Sequence, residues 1–357
     1  MRIYIGTYTK DKERAGGEPQ GIHCFDYDAS SGGLTKSNVT EGVISPTFLC
    51  LSPGRDVLYA ASEIDDFEGR RVGAISAYRV DMASGRTTLL NQKSSHGAAS
   101  CYVSTTPDGK YLMTANYDGR NVAVFELHGD GSLGESTSTE FEGSGADPER
   151  QSEPHPHFIS LGPSGGWVYV CDLGSDKIWQ CTLSQGRLTP LATPALRVHP
   201  GAGPRHLVFH PNSRFVYVVN ELDATVSSCR FDPLTGEFRS FQTESALPED
   251  FNGQKWAADI HVHPNGRVLY SSNRGHDSIA IFRVDRLDGK LTPAGHVSSG
   301  GETPRNFAIS PDGRFLLVAN QDSENLVLFR TDPDDGSLAP TGQVTRCPRP
   351  VCVQFAD

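Results

Sequence analysis

The sequence predicts an all-β protein, a seven-bladed β-propeller built from four-stranded antiparallel blades. The main observation is a motif that occurs six times, in which a proline and a tight turn precede a hydrophobic strand with a polar end. Its copies are SPGRDVLYAASE (52–63), TPDGKYLMTANY (106–117), GPSGGWVYVCDL (162–173), HPNSRFVYVVNE (210–221), HPNGRVLYSSNR (263–274) and SPDGRFLLVANQ (310–321). Successive motif prolines are 47 to 56 residues apart, a spacing typical of propeller blades.

The two chain ends supply the seventh blade. The C-terminal RPVCVQFAD (349–357) aligns with TPRNFAISP (303–311), which is the first strand of the preceding copy. The N-terminal RIYIGTYT (2–9) aligns with the second strand of that copy, RFLLVANQ (314–321). We therefore expect the last strand of the chain to pair with the first strand, because such closure leaves no open sheet edge.

Each blade is predicted to contain four strands, as in the copy at 303–344. Its strands are TPRNFAISP, RFLLVANQ, NLVLFRTD and SLAPTGQV, and PDG at 311–313 and DPDDG at 332–336 are turn signals between them. Antiparallel order brings the start of each first strand and the end of each second strand to one end of the central channel, the mouth. Three insertions lie in loops at this end, 64–73, 143–157 and 244–257, where function is usually carried.

Composition supports a single propeller domain over residues 1–357, because no linker or low-complexity tract divides the chain. The N-terminus shows no basic and apolar leader, and no apolar run is long enough to span a membrane, so we expect no membrane partner. The eight cysteines form no CxxC pair, which favours a reduced, cytoplasmic protein. A net charge of −11 argues against a nucleic-acid partner.

Counting from the motif prolines predicts which side chains meet at the mouth. Six residues before each proline the chain has Thr47, Cys101, His157, Arg205, Ala258 and Arg305, with Val351 in the split blade. Ten residues after each proline it has Glu63, Tyr117, Leu173, Glu221, Arg274 and Gln321, with Tyr8 from the N-terminus. Three arginines, a histidine and a glutamate therefore converge, and such a set favours a small dianionic ligand. The alternative is that the arginines pair across blades with Glu63, Asp172 or Asp259.

Other chemistries find less support in the sequence. The pairs His155/His157 and His261/His263 lack the third ligand that a metal site needs, so no metal is expected. We expect the remaining strand-one histidines to pack or cap turns; these are His206, His210, His261 and His263. GPSGG (162–166) fits the GxSxG string but lies in a turn of the repeat, so no nucleophile elbow appears and a serine esterase is disfavoured.

Three long segments resemble the seven-bladed propeller lactonase family, which includes propeller-type 6-phosphogluconolactonases and fungal 3-carboxy-cis,cis-muconate lactonising enzymes. The segments are GPRHLVFHPNSRFVYVVNELDATV (203–226), AADIHVHPNGRVLYSSNRGHDSIAIF (257–282) and TPRNFAISPDGRFLLVANQDSENLVLF (303–329). IYIGTYT and PHPHF fit as well, so the resemblance covers the whole chain; the turn in PSGGWVYVCDLG departs from the family's usual PDGR. The resemblance implies an enzyme without a cofactor that acts on a lactone or its open-chain acid. By motif, the family's active-site residues correspond to His157, Arg205 in GPRH, Glu221 in VNEL and Arg274 in SNRG.

The hypothesis that follows is hydrolysis of 6-phospho-D-glucono-1,5-lactone to 6-phosphogluconate, a step of the pentose phosphate pathway. In it His157 is the base, Glu221 orients His157 or activates water, and Arg205 polarises the carbonyl or holds the phosphate. The residues predicted to bind substrate are Arg274, Arg305, Asp259, Asn320 and Gln321. Two alternatives remain open: a muconate cyclase or another sugar lactonase, and a non-catalytic propeller that binds a partner. A polar, cationic mouth disfavours the second alternative, since protein-binding surfaces are usually apolar.

Overall fold

Seven antiparallel sheets form seven blades, as the repeat predicts, in a computed structural model that describes residues 1–9 and 20–356. The blade that contains both chain ends has β1 (Arg2–Thr7), β2 (Gly21–Tyr27) and β3 (Leu34–Glu41). The next two blades have β4 (Pro46–Leu51), β5 (Val57–Ser62), β6 (Ala74–Val80) and β7 (Thr87–Ser94), then β8 (Ser100–Thr105), β9 (Tyr111–Asn116), β10 (Asn121–Leu127) and β11 (Leu133–Glu140). The following blade has β12 (Pro156–Leu161), β13 (Val168–Asp172), the 3₁₀ turn Leu173–Ser175, β14 (Lys177–Ser184), β15 (Arg187–Pro190) and the short β16 (Leu196–Arg197).

The last three blades complete the ring. Their strands are β17 (Pro204–Phe209), β18 (Phe215–Asn220), β19 (Thr225–Phe231) and β20 (Phe238–Ser245), then β21 (Trp256–Val262), β22 (Val268–Arg274), β23 (Ser278–Val284) and β24 (Leu291–Ser298), then β25 (Pro304–Ile309), β26 (Phe315–Asn320), β27 (Asn325–Thr331) and β28 (Leu338–Arg346). The final strand, β29 (Pro350–Phe355), pairs antiparallel with β1, with Ile3 opposite Phe355. This pairing confirms the predicted closure of the ring by the two chain ends.

Burial follows the position of each strand in its blade. Every residue of β18 and of β26 is buried, because second strands are packed between neighbouring sheets. The outermost strands, such as β20, expose about half of their residues to solvent. Within the described residues no helix is long and apolar enough to cross a membrane.

Neighbouring blades are joined by a repeated tyrosine contact. In the second strand, Tyr217 and Tyr270 donate hydrogen bonds of 2.9 Å to the carbonyls of Gly289 and Gly336, each in the outer turn of the following blade. Both glycines have positive φ, and a Cβ there would lie about 2.5 Å from a side chain of the preceding blade. Glycine is therefore required for this close approach of the blades.

A β-bulge occurs in the first strand of every blade, at the residues that the sequence places at the mouth. The register shifts, for example, between Pro156 and Phe158, and between Pro204 and His206. The residues that stand at these shifts are called the mouth layer: Thr47, Cys101, His157, Arg205, Ala258, Arg305 and Val351. A bulge re-aims a side chain relative to its neighbours, so the shared bulge explains how seven strands direct one residue each to a common point.

Two cavities lie along the channel. The mouth cavity, of about 10 Å³, is lined by Glu63 and by every member of the mouth layer except Ala258. The residues next in sequence to the mouth layer form the lower layer: Phe48, Tyr102, Phe158, His206, Asp259, Asn306 and Cys352. All of them line the lower cavity, of about 370 Å³, and Phe48, His206 and Asn306 also line the mouth cavity. The lower layer therefore separates the two cavities.

Candidate active site

Glu221 is the electrostatic centre of the mouth. Its carboxylate is almost fully buried and contacts three guanidiniums, Arg150 at 2.8 Å and both Arg205 and Arg274 at 2.9 Å. Burial alone would raise the pKa of Glu221, but the charges of Arg274, Arg205 and Arg150 outweigh it and lower the pKa to about 2. Glu221 is therefore an anion at any pH at which the protein works.

Arg205 and Arg274 are held rigidly beside Glu221. Arg205 donates through Nη1 to the carbonyl of Ala258, and Arg274 donates through Nη2 to the carbonyl of Ala257 at 3.0 Å. Burial, together with the charges of Arg305 and Arg274, lowers the pKa of Arg205 to about 10. Both side chains remain cations at neutral pH, in a place where they are costly unless an anion balances them.

Arg305 approaches the cavity from another blade and is only loosely paired. Its Nη2 lies 3.6 Å from Oε2 of Glu63, while the hydroxyl of Tyr8 donates to Oε1 of Glu63 at 2.6 Å. The guanidinium also lies over the Tyr8 ring, 5.5 Å from its centroid. The predicted pairing with Glu63 is thus present but long, whereas no pairing of a mouth arginine with Asp172 or Asp259 occurs among the described ion pairs.

Counting these groups gives the mouth an excess of positive charge. Four guanidiniums face two carboxylates, which leaves two positive charges; the cations are Arg150, Arg205, Arg274 and Arg305, and the anions are Glu63 and Glu221. The whole chain carries −11, so this excess is a local property of the mouth. It matches the dianion that the sequence suggests.

His157 is buried in the mouth layer and neutral. Burial, followed by the positive charges of Arg205, His206 and Arg305, keeps the pKa of His157 well below its usual value. Its ring meets Tyr117 and His206 edge-on, with centroids 5.7 and 5.2 Å away. A neutral imidazole in a cationic pocket has a free lone pair and can accept a proton.

Several buried polar atoms around the mouth cavity have no hydrogen-bonding partner in the described chain. Four of them belong to residues that line the cavity: Oγ1 of Thr47, Oε2 of Glu63, Nδ1 of His157 and Nε of Arg205. The last lies 2.9 Å from Glu221, but in a direction too poor for a hydrogen bond. Each such atom costs about 1–3 kcal/mol when it is left unsatisfied. Their concentration at one cavity indicates a site built for a polar ligand.

Sequence reasoning missed Arg150, which completes the Glu221 cluster. Arg150 lies in the 143–157 insertion, outside the repeat, so counting from the motif prolines could not find it. The available signal was the position of the insertion in a loop at the mouth. A second missed residue is Trp256, whose ring lies 5.6 Å from the guanidinium carbons of both Arg150 and Arg274.

Asp259, which the sequence predicts to bind substrate, lies in the lower layer. Its carboxylate accepts hydrogen bonds from His206 at 2.9 Å and from Asn306, and it contacts His261 at 2.9 Å. It lines the lower cavity and not the mouth cavity. The physical reason is the bulge in β21, which contains both Ala258 and Asp259 and turns the carboxylate towards the lower layer.

Asn320 and Gln321 are also absent from the lining of the mouth cavity. Asn320 is fully buried and donates to the carbonyl of Ser299 at 3.0 Å and to Asn325 at 2.9 Å. Gln321 donates to Asp322 at 3.1 Å. These contacts hold the loops of their own blade, and the substrate-binding role of the two residues stays a prediction.

The remaining histidines are distributed as caps and as partners of Asp259. His210 and His263 each contact a glycine carbonyl of the next blade at 2.8 Å, which confirms the capping prediction for them. His206 and His261 lie on either side of Asp259, a network that the sequence did not indicate. Among residues 1–9 and 20–356 no group of three or more His, Cys, Asp or Glu is placed to hold a metal ion.

Comparison with known proteins agrees with this architecture. Residues 2–355 match the model of the family described as "Lactonase, 7-bladed beta-propeller". The chain is 37% identical to the 6-phosphogluconolactonase of Bacillus subtilis over 85% of this chain and 83% of that protein. It is 34% identical to the 6-phosphogluconolactonase of Formosa agariphila over 86% of both proteins. The structure of a periplasmic gluconolactonase of Pseudomonas aeruginosa superposes with a TM-score of 0.91 and 32% identity, over 99% of this chain and 98% of that one.

The chain therefore belongs to the seven-bladed β-propeller lactonase family, as its motifs suggest. Within that family it is an enzyme of the lactone hydrolase class.

Proposed function

We propose that the protein hydrolyses 6-phospho-D-glucono-1,5-lactone to 6-phosphogluconate at the mouth cavity. The observation that carries this proposal is the set of buried polar atoms without partners around a cavity lined by Glu63, Arg205 and Arg305, beside an arginine and glutamate cluster that has two excess positive charges. A phosphorylated lactone offers what such a cavity lacks, namely hydroxyl groups, a carbonyl that becomes an oxyanion, and a dianionic phosphate. The names of the related proteins from Bacillus subtilis and Formosa agariphila support the same substrate.

In the proposed reaction His157 acts as the general base. Neutral His157 takes a proton from water as the water oxygen adds to carbon 1 of the lactone, and the carbonyl oxygen becomes an oxyanion. The bond between carbon 1 and the ring oxygen then breaks, and the ring oxygen takes the proton back from His157. The product is the open-chain acid, which releases one proton at neutral pH.

The arginines and Glu221 supply the electrostatics. Arg205 lies beside His157 in the mouth layer, and its guanidinium stabilises the oxyanion, because a fixed donor in a pocket shielded from water needs no reorganisation. Glu221 keeps Arg205 and Arg274 in place through its ion pairs. Arg305 is exposed to the cavity and contributes to substrate binding.

A proton-release assay tests this proposal. The initial rates for 6-phosphogluconolactone and for unphosphorylated glucono-1,5-lactone are compared after the spontaneous hydrolysis of each is subtracted. We expect a higher kcat/KM for the phosphorylated lactone. Equal values, or no rate above background, would contradict the assignment. Reaction in ¹⁸O-water is expected to label the product carboxylate, whereas a cyclase reaction would incorporate no label.

The proposed location is the cytoplasm. None of the eight cysteines is in a disulfide bond, and seven of them are buried. Such an arrangement fits a reducing compartment, where thiols persist.

A further inference from the structure

The 143–157 insertion is built to hold Arg150 in one place. Oδ1 of Asp147 accepts hydrogen bonds from the backbone N–H groups of Glu149 at 2.9 Å and Arg150 at 3.1 Å. The next residue, Gln151, is fully buried and donates through Nε2 to the carbonyl of Leu173 and to Asp176, both at 2.7 Å. The backbone of Arg150 is thus fixed on both sides, which lowers the entropic cost of using its side chain to bind a ligand.

Only part of the Arg150 guanidinium is occupied. Both protein contacts come from Nη2, to Oε1 of Glu221 at 2.8 Å and to the hydroxyl of Tyr117 at 3.2 Å. Nε and Nη1 make no hydrogen bond to any described residue. A guanidinium has five N–H groups, so three remain: two on Nη1, which can donate to a phosphate, and the one on Nε, which points to the other side of the group.

Arg150 is also the most accessible cation of the mouth. The exposed fraction of its side chain is 31%, compared with 17% for Arg305, 9% for Arg274 and 3% for Arg205. Glu221 has two other arginines to neutralise it, so the charge of Arg150 is not needed for that purpose. Through Tyr117 the side chain is only one residue away from His157.

We propose that Arg150 anchors the phosphate of the sugar lactone through the two N–H groups of Nη1, while Nη2 stays on Glu221 and Tyr117. This inference rests on the proposed function and adds the residue that makes it specific for a phosphorylated substrate. Trp256 supports the guanidinium from the side, since its ring lies within cation–π distance of Arg150 and Arg274. The phosphate would thus bind at the outer edge of the mouth and the lactone carbonyl deeper, near His157.

The test is the variant Arg150→Gln, assayed with 6-phosphogluconolactone and with unphosphorylated glucono-1,5-lactone. For the phosphorylated lactone we expect KM to rise about 10- to 100-fold, the range of a lost charged hydrogen-bond pair, with little change in kcat. For the unphosphorylated lactone we expect kcat/KM to stay within about threefold of wild type. Arg70→Gln is the matched control, because Arg70 is an exposed arginine of the 64–73 insertion that pairs with Glu68 at 3.8 Å.

A second variant, Arg150→Lys, separates charge from geometry. Lysine keeps the positive charge beside Glu221 but replaces the planar guanidinium, which can hold Glu221 through Nη2 and the phosphate through Nη1, with a single ammonium, so we expect an intermediate rise in KM for the phosphorylated lactone alone. An equal loss for both substrates, or a loss in kcat only, would overturn the phosphate anchor. So would a preference for the phosphorylated lactone that survives in Arg150→Gln. A wild-type enzyme with no such preference would instead overturn the proposed substrate, and the anchor with it.

Discussion

The mouth layer and the lower layer consist of residues that are adjacent in sequence, but the two layers differ in whether their buried polar atoms have hydrogen-bonding partners. In the mouth layer Thr47 and His157 each have a buried polar atom without a partner. In the lower layer His206 and the side-chain amide nitrogen of Asn306 bond to Asp259, and the side-chain oxygen of Asn306 accepts from the backbone N–H of Val353 at 2.7 Å. An unpaired buried polar atom costs stability, so of these two layers the mouth layer is the one that a polar ligand would complete.

Cavity volume alone would favour the lower layer, and not the mouth layer, as the ligand site. The lower cavity is larger, about 370 Å³ against about 10 Å³, and it is lined by aromatic rings such as Phe48, Tyr102 and Phe158. Its carboxylate and imidazole groups, Asp259, His206 and His261, are already paired with one another. We infer that the hydrogen bonding of the buried polar groups, and not the cavity volume, distinguishes the functional end of this channel.

The largest effect is expected for His157→Gln. Loss of the general base should lower kcat by about 10²- to 10⁴-fold without loss of folding, because Nδ1 of His157 makes no hydrogen bond. The proton-release assay and a thermal melt measure the two quantities. The matched control is His263→Gln, since His263 caps a turn by contact with the carbonyl of Gly313 and should affect stability alone. Wild-type turnover in His157→Gln would remove the base from its role.

The next effect is expected for Glu221→Gln, which removes the anion from the centre of the cluster. Three guanidiniums then lose their shared partner, and the free energy of unfolding should fall by about 3 kcal/mol, measured by urea denaturation. In the folded wild type the pKa of Glu221 is about 2, lower than in the unfolded chain, so unfolding takes up a proton. Wild-type stability should therefore decline as the pH falls from about 4.5 to about 2, and the variant should lack this part of the decline. An unchanged acid profile would show that the cluster does not stabilise the fold.

A smaller effect is expected for Asp259→Asn, on stability rather than on substrate binding. The change weakens the contacts to His206 and His261 and should cost about 2 kcal/mol of stability, since Asp259 belongs to the lower layer. KM for the phosphorylated lactone should stay within about threefold of wild type. A large rise in KM with normal stability would place Asp259 at the substrate after all, and the contrast between the layers would fail.

The pH dependence of kcat/KM also distinguishes the mouth layer from the lower layer. Because burial and neighbouring cations keep the pKa of His157 below 6.5, the base stays neutral and active as the pH falls from 8 to 6.5. The acid limb of the profile should therefore lie below pH 6.5, when hydrolysis is followed at constant ionic strength. The pKa of His261, a neighbour of Asp259, is raised instead, so a limb above 6.5 would implicate the lower layer in catalysis.

The smallest effect is expected for Cys101→Ala, although Cys101 lies in the mouth layer. Burial, with the nearby Glu63 charge, raises the pKa of the Cys101 thiol, which keeps it protonated and unreactive. Activity should stay within about threefold of wild type, and iodoacetamide should not inactivate the wild-type enzyme. Inactivation that the variant resists would show a nucleophilic role for the thiol.

The repeat made most of the fold predictable, because one strand pattern recurs at a regular spacing. Counting from the motif prolines found the blade number, the closure of the ring and the group around Glu221. It could not find Arg150, which lies in an insertion with no counterpart in the other blades. It could not give the direction of the Asp259 side chain, because the pattern gives proximity to the channel but not the direction that a bulge imposes on each side chain.

The most direct test of the account is a crystal structure of the enzyme with 6-phosphogluconate bound. We predict that the product lies in the mouth cavity, with its carboxylate near His157, its phosphate on Arg150, and the hydrogen bonds of Asp259 unchanged. Product bound in the lower cavity, or in the mouth with Oγ1 of Thr47, Oε2 of Glu63 and Nδ1 of His157 still without hydrogen bonds, would contradict the account.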